Sequence, residues 1–529
     1  MAKLSIVIAT ACMLHSVLDI FGEDPSTGRL SDYRKTSQYY YELHRPQFHF
    51  TPPMNWMNDP NGMVFYDGEY HLFYQHNPHG NTWGHMSWGH AVSKDLVHWE
   101  HLPIALQDHY GVMIFSGSAV VDFKNTSGFG DGTKPPLVAI YTGHGHGKQT
   151  QDIAYSDDRG RTWTKYEGNP VIDLNMADFR DPKVFWHEAS HKWVMTVSIP
   201  LERKLRFYGS SNLKEWELLS EFGPAGAVKG IWECPDLFPL EIEGTHHSKW
   251  VLIVNIGSGS IAGGSGCQYF IGEFDGTHFT VDSASPQSNA SGEQANWVDH
   301  GKDFYAAVSW SDVPKEDGRR LWLGWLSNWQ YANNIPTHPW RSAMSIPRSL
   351  TLRGTSQGLR LIQSPAKELR KLRGKEIAYH ELEIMNGTRT FTEGELSGKR
   401  LEIIATIELG SASEVGFRLR KGKDEASLVG YDVIRNTLFV DRTQSGDVAF
   451  HEDFGGKHEG PLAIENGHIH LQIFLDDSSI EVFGNLGETV LSERIFPSPD
   501  NISVEYFSKG GDSKISSLRA WNLQSIWHP

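Results

Sequence analysis

The chain has 529 residues, room for roughly three to five domains or two large ones. At 39% hydrophobic and 21% charged it is too apolar and aromatic to be disordered, and a net charge of -16 with no basic stripe argues against a nucleic-acid or anionic-membrane partner. Three cysteines, Cys12, Cys234 and Cys267, leave no disulfide framework and no zinc-binding spacing.

The N-terminus carries Lys3 and then an interrupted apolar stretch from Leu4 to Leu18. It is too short to span a bilayer and reads as a secretory signal peptide over residues 1–20. Four N-x-S/T sequons, at Asn125, Asn289, Asn386 and Asn501, would carry glycans in a eukaryotic secretory route.

A repeat follows. Ser, then Asp or Asn two residues on, then Trp, recurs at Ser93/Asp95/Trp99, Ser156/Asp158/Trp163 and Ser210/Asn212/Trp216, at intervals of about 60 residues, with FDGTHF at Phe274 as a weaker fourth copy. Between the copies, short β-rich runs pair across turn residues. Met63–Tyr66 meets Tyr70–Tyr74 across Asp67-Gly68, Val184–Trp186 meets Trp193–Val197, Leu237–Leu240 meets Trp250–Val254, and Phe304–Trp310 precedes Leu321–Trp325. Units of this length, about five between Asn55 and Arg353, are the pattern of propeller blades.

A polar stretch, Lys367–Glu376, ends that pattern. Beyond it RLEIIATIEL, EVGFRLR, HIHLQIFLDDSSIEVF and NISVEYF alternate like antiparallel strands with one wet face, which predicts a β-sandwich. The expected organisation is all-β, with a five-bladed β-propeller over 44–366 and a C-terminal β-sandwich over 377–529.

Three segments hold carboxylates in unusual settings. WMNDPNG sets Asp59 in what reads as a tight turn before a strand, FRDPKV sets Asp181 beside Arg180, and WECPDLF sets Glu233 between Trp232 and Cys234. Equivalent positions in different blades would bring the three acids to one central funnel. Two carboxyl groups in one pocket are what glycoside cleavage needs, one ionised and one holding a proton. Glu233, with the drier neighbours, is the candidate acid/base, and Asp59, in a turn rich in N–H donors, is the candidate nucleophile. Arg180 favours ionisation of Asp181. GHGHG at Gly143 and His246-His247 read as Gly-rich surface loops rather than metal ligands, and Trp56, Trp83 and Trp329 are equally suited to core packing or to stacking on a sugar.

WMNDPNG, FRDPKV and WECPDL, in this order, resemble the glycoside hydrolase family 32 enzymes, which include invertases, exo-inulinases, levanases and related fructosyltransferases. FYQHNP at Phe73, FSGSAVV at Phe115, QYFIGEFDGTHF at Gln268 and NWQYANNIPTHPWRSAM at Asn328 extend the likeness. The resemblance implies a five-bladed propeller followed by a sandwich, and retention of configuration through a covalent fructosyl-enzyme. It casts Asp59 as nucleophile, Glu233 as acid/base and Asp181 as transition-state stabiliser. Asn58, Gln75, Ser116 and Arg180 would bind the fructosyl unit, and Trp83, Phe115 and Trp329 would line the funnel. No metal or organic cofactor is implied. The expected partners are sucrose and fructans such as inulin and levan, with a homodimer contact as one role for the sandwich. A fructosyltransferase and a catalytically silent fructan-binding propeller are the alternatives. Cys234 and Cys267 are expected as free thiols, because a bridge would set oxidised sulfur beside Glu233.

Overall fold

The computed structural model describes residues 39–527 apart from 283–286, 289–291, 356–357 and 393. The expected signal peptide, Cys12 and the Asn289 sequon lie outside the described residues.

Five antiparallel sheets come first in the chain, each opening with an inner strand. These strands are Asn55–Tyr66 in blade one, Met113–Val121 in blade two, Arg180–His187 in blade three, Trp232–Glu241 in blade four and Tyr305–Ser309 in blade five. They pack side by side in chain order, and blade five returns against blade one, so the sheets radiate from one axis as a five-bladed β-propeller. Trp340–Arg341 closes the ring by pairing in parallel with Asn55 and Trp56, and the Asn55 N–H donates to Pro339 O at 2.7 Å.

The core lies between the blades. Leu72 and Met63 meet Trp310 and Leu323 at the junction of blades one and five, and Val194 and Leu205 meet Trp232 and Leu252 between blades three and four. The inner strand of blade one is buried almost throughout although its first half is polar, and only the later halves of the first two inner strands, Met63–Tyr66 and Ala119–Val121, read as apolar runs.

The sequence repeat is the turn between the third and fourth strands of a blade. Asp95, Asp158, Asn212 and, in the weak fourth copy, Asp275 each accept two backbone N–H groups, at 2.7–3.2 Å. The short polar side chain replaces the missing ladder bonds of the turn, which is why only Asp or Asn recurs there.

All five inner strands are also bulged at one level. The register slips between Met57 and Pro60, Ile114 and Gly117, Arg180 and Lys183, Glu233 and Asp236, and Tyr305 and Val308. Asp181, Cys234 and Ala306, the first bulged residues of blades three to five, are left-handed at φ 67, 42 and 53°. Here the sequence reading needs correction, since NDPNG is not a turn before a strand but the bulged start of a 12-residue strand. Asn58 and Asp59 are the bulged residues, Pro60 resumes the pairing opposite Tyr74 with no N–H for the ladder, and Gly62 follows at φ 51°, where a Cβ would come within 2.5 Å of Phe73.

A 3-10 turn, Lys367–Leu372, separates the last blade strand, Gly358–Pro365, from Arg373–Ile384, the first strand of a sandwich of two six-stranded antiparallel sheets. Ile403, Ile473 and Val482 from one sheet pack against Phe417, Val429 and Tyr506 from the other. The expected wet face holds for Leu401–Glu408 but fails for Ser479–Gly484, which is buried throughout, as is the adjoining strand Thr489–Arg494. Their outward residues Phe483 and Val490 cover Phe48, Ile346 and Leu369 beside the propeller.

Candidate active site

The bulges decide the site. Because the inner strands are in register around the axis, Arg180, Glu233 and Tyr305 each stand directly before a bulge, in blades three, four and five. Arg180 Nε donates to Glu233 Oε1 at 3.0 Å, and the Tyr305 hydroxyl donates to Glu233 Oε2, so both carboxyl oxygens are held. Cys234 joins the other two acids: its backbone N–H donates to Asp181 Oδ2 at 3.0 Å and its thiol reaches Asp59 Oδ2 at 3.4 Å. Carboxylates far apart in the sequence thus share one pocket at the N-terminal ends of the inner strands.

Asp59 receives Ser116 Oγ at 2.7 Å on Oδ2 and Asn58 Nδ2 at 3.0 Å on Oδ1, and Trp56 Nε1 orients Asn58 through a 2.7 Å bond to Oδ1. The donors on its carboxyl are side chains, not the turn N–H groups expected from the sequence. Burial pushes the Asp59 carboxyl above the ordinary range, against the pull of Ser116 and Asn58, and the charge of Glu233 adds to the rise. Asp181 is buried too, and desolvation lifts it to about 7 although Arg180 opposes the shift. Burial disfavours the charge on Arg180, but Glu233, Asp181 and Asp178 outweigh it and hold the guanidinium protonated.

One expectation about these acids changes. Glu233 is the most open of the three, with 18% of its side chain exposed while Asp59 and Asp181 are buried. Neighbours on a strand point to opposite faces. The Trp232 ring therefore packs into the core between blades three and four and bonds Ala227 O, and the Cys234 thiol turns to Asp59. Arg180 is engaged by Glu233 and by Asp178 at 2.7 Å, and stands 4.0 Å from Asp181, its chain neighbour.

The remaining sequence candidates gather around the same pocket. Gln75 donates to Ile114 O at 3.0 Å beside Phe115. Trp83, 42% exposed, meets the edge of Phe115 with ring centres 6.0 Å apart, and Trp329 lies over Trp56 at 6.0 Å. Trp56 itself is fully buried and belongs to the core. Both described thiols, Cys234 and Cys267, are free and buried in separate clusters. Of the described sequons, Asn386 is exposed, whereas the Asn125 and Asn501 amide nitrogens already donate to Gly130 O and Glu425.

Sequence reasoning missed Tyr305, Thr142, Gln149 and His144. Thr142 Oγ1 accepts the Asp181 N–H at 3.0 Å, Gln149 accepts from Arg180 at 3.2 Å, and His144, from the GHGHG segment, stacks on Phe115 at 4.5 Å. Only Tyr305 carried a usable signal, its place at the start of the fifth inner strand, level with the acids of the other blades.

A pocket pairing buried carboxyl groups with a more open, doubly anchored one can supply both an anion and a proton to one glycosidic bond, which is glycosidase chemistry. The family models agree: residues 49–365 match the glycosyl hydrolases family 32 N-terminal domain and residues 368–522 the family 32 C-terminal domain. The chain belongs to glycosyl hydrolase family 32. It is 52% identical over 497 residues to the levanase of Bacillus subtilis, covering 93% of this chain and 72% of that protein. It is 43% identical over 521 residues to an extracellular exo-inulinase of Aspergillus awamori, covering 92% and 96%. A crystal structure of exo-inulinase from that species matches with a TM-score of 0.87 and 42% identity over 92% of this chain and all of that one. A β-fructofuranosidase from Schwanniomyces occidentalis, complexed with fructosyl-erythritol, matches at 0.84 and 34%, covering 92% and 99%.

Proposed function

We propose that this protein is a secreted, exo-acting, retaining β-fructosidase that releases terminal β-D-fructofuranosyl units from inulin, levan and sucrose. The observation that carries the reading is the meeting of Asp59, Asp181 and Glu233 in one pocket through Cys234 and Arg180. Relatives named levanase and exo-inulinase support the substrate class, and the name of the extracellular exo-inulinase, with the N-terminal apolar segment, supports secretion.

In the first step Glu233 gives its proton to the glycosidic oxygen while an Asp59 oxygen attacks the anomeric C2; the C–O bond breaks and a fructosyl ester forms. Ser116 and Asn58 aim the attacking carboxylate, and burial keeps water from competing for it. Glu233, now a carboxylate, takes a proton from water, the oxygen adds to C2, and Asp59 leaves. Arg180 and Tyr305 hold Glu233 in reach of the same oxygen position in both steps. Asp181 accepts hydrogen bonds from fructosyl hydroxyls as positive charge grows on the ring. No step requires a metal or organic cofactor.

The test follows free glucose, free fructose and oligosaccharides from sucrose, inulin and levan over time. Equal glucose and fructose from sucrose, with single fructose units from the polymers, is expected. Excess glucose with growing oligosaccharides would make the protein a transferase instead. Asp59→Ala should lose about 10⁴-fold or more in turnover while still unfolding cooperatively on heating, and appreciable residual activity would overturn the nucleophile assignment.

A further inference from the structure

The propeller has a second mouth. At the C-terminal ends of the inner strands of blades two to five lies a cavity of about 700 Å³, within the size range of small-ligand sites. Its outer wall at His187 is six residues along blade three from Asp181, about 20 Å of extended chain away from the catalytic pocket. The two are divided by a plug across the axis: Lys183 donates to Ser309 O and lies 3.4 Å from Asp236, which accepts the Ser309 N–H at 2.7 Å.

The chemistry of this cavity is distinctive. Aromatic rings line it on both sides of blade three: Phe185 meets Trp250 toward blade four with ring centres 5.6 Å apart, and Trp186 meets the edge of Trp193 at 5.3 Å toward blade two, with Lys124 over Trp186 at 4.4 Å. Phe123 stands at its edge with 65% of its surface exposed. The floor carries two cations, Lys183 and Arg320, and two acids, Asp236 and Asp312. Asp236 is fully buried, and its Oδ1 has no hydrogen-bond partner. Asp312 accepts a single backbone N–H, from Val121 at 2.8 Å. Arg320 donates to Trp310 O at 3.4 Å, lies over the Phe238 ring and feels the charges of Asp236 and Asp312, with guanidinium donors left over. The floor therefore offers donors and acceptors with balanced charge, which gives no net attraction to an anion or a cation. Aromatic rings around the wall and balanced polar groups at the floor suit the apolar face and the hydroxyls of a sugar.

We propose that this cavity is a second carbohydrate site, binding an uncharged oligosaccharide chain on the face of the propeller opposite the catalytic pocket. Its identification with a fructan chain rests on the function proposed above. Holding the polymer at one face raises the effective concentration of its ends at the other, without any new contact to the reacting unit.

The experiment is calorimetric titration of a β(2→1)-linked fructotetraose into Asp59→Ala, Asp59→Ala/Trp186→Ala and Asp59→Ala/Phe123→Ala, each checked by thermal unfolding. The first protein should bind two equivalents, and in the other two the second event should weaken by about tenfold, as expected for loss of one stacking ring. A single equivalent in Asp59→Ala overturns the proposal, as do two equivalents unaffected by both cavity substitutions. Fructose release by the wild-type enzyme from inulin is read separately. Two binding events without release would sink the proposed reaction and leave the second site standing; release with one binding event would do the reverse.

Discussion

Cys234 shows how much one residue can organise. Its left-handed backbone turns its N–H to Asp181 and its thiol to Asp59, and it fixes the preceding Glu233 against Arg180 and Tyr305. The cost of concentrating acids here falls on stability. Burial lifts Asp181 to about 7, so the native state holds that proton more tightly than the unfolded chain, where the group titrates near 3.8. Below about pH 4 both states are protonated and nothing is lost. As the pH climbs from there to 7 the unfolded chain ionises first and stability falls, and Asp59, shifted in the same direction, adds to the loss. Asp181→Asn cannot ionise. It should match the wild type in denaturant unfolding at pH 3.5 and exceed it by about 0.5–2 kcal/mol at pH 7.5, while activity collapses. An advantage at pH 3.5 that vanished at pH 7.5 would mean that native Asp181 is stabilised as an anion.

At the scale of the element, the blades divide their labour. Outer turns carry the repeated Ser-x-Asp signal, and inner strands carry the bulges and the three candidate acids. Asp158 accepts from the Arg161 and Thr162 N–H groups and from both the Ser156 and Thr162 hydroxyls. Asp158→Ala should therefore cost about 1–2 kcal/mol of stability, seen as a lower denaturant midpoint, and leave KM for sucrose unchanged. A changed KM would place this turn in contact with substrate. These hairpins were legible because turn chemistry is local. The bulges were not: Asn-Asp-Pro-Asn-Gly has the composition of a turn, and it becomes strand only because Asn61 and Val64 find Phe73 and His71 on the neighbouring strand.

Across the whole molecule, propeller and sandwich are joined by charges withdrawn from water. Arg348, in the last blade, lies between Asp299 of the propeller and Glu481 of the sandwich and donates to Ser492 Oγ at 2.7 Å. His49 bridges Asp476 and Glu481 at 2.7 and 2.9 Å. From the sandwich, Arg442 reaches Asp303 and the Tyr331 hydroxyl, two residues beyond Trp329 at the funnel. Arg348→Ala would take the guanidinium from two buried carboxylates, leaving Asp299 to the Gly301 and Ser492 donors and Glu481 to His49 and the Ile346 N–H. It should cost about 3–5 kcal/mol, with near-UV dichroism of the tryptophan-rich propeller and far-UV dichroism of all the strands lost in one transition. Two separated transitions would mean that the network does not couple the two parts.

What the sequence by itself determined is the local chemistry: hairpin turns, strand periodicity and three short motifs whose acids announce themselves by their neighbours. Those features survive in isolation, because Asp in a turn and alternating side chains on a strand act over a few residues. Which acid is dry, which donor reaches which oxygen, and that Tyr305 belongs to the site were decided by the tertiary structure. Closing five bladed sheets around an axis sets residues from four blades within hydrogen-bond reach, and burial and charge there depend on that ring rather than on the chain neighbours of any one residue.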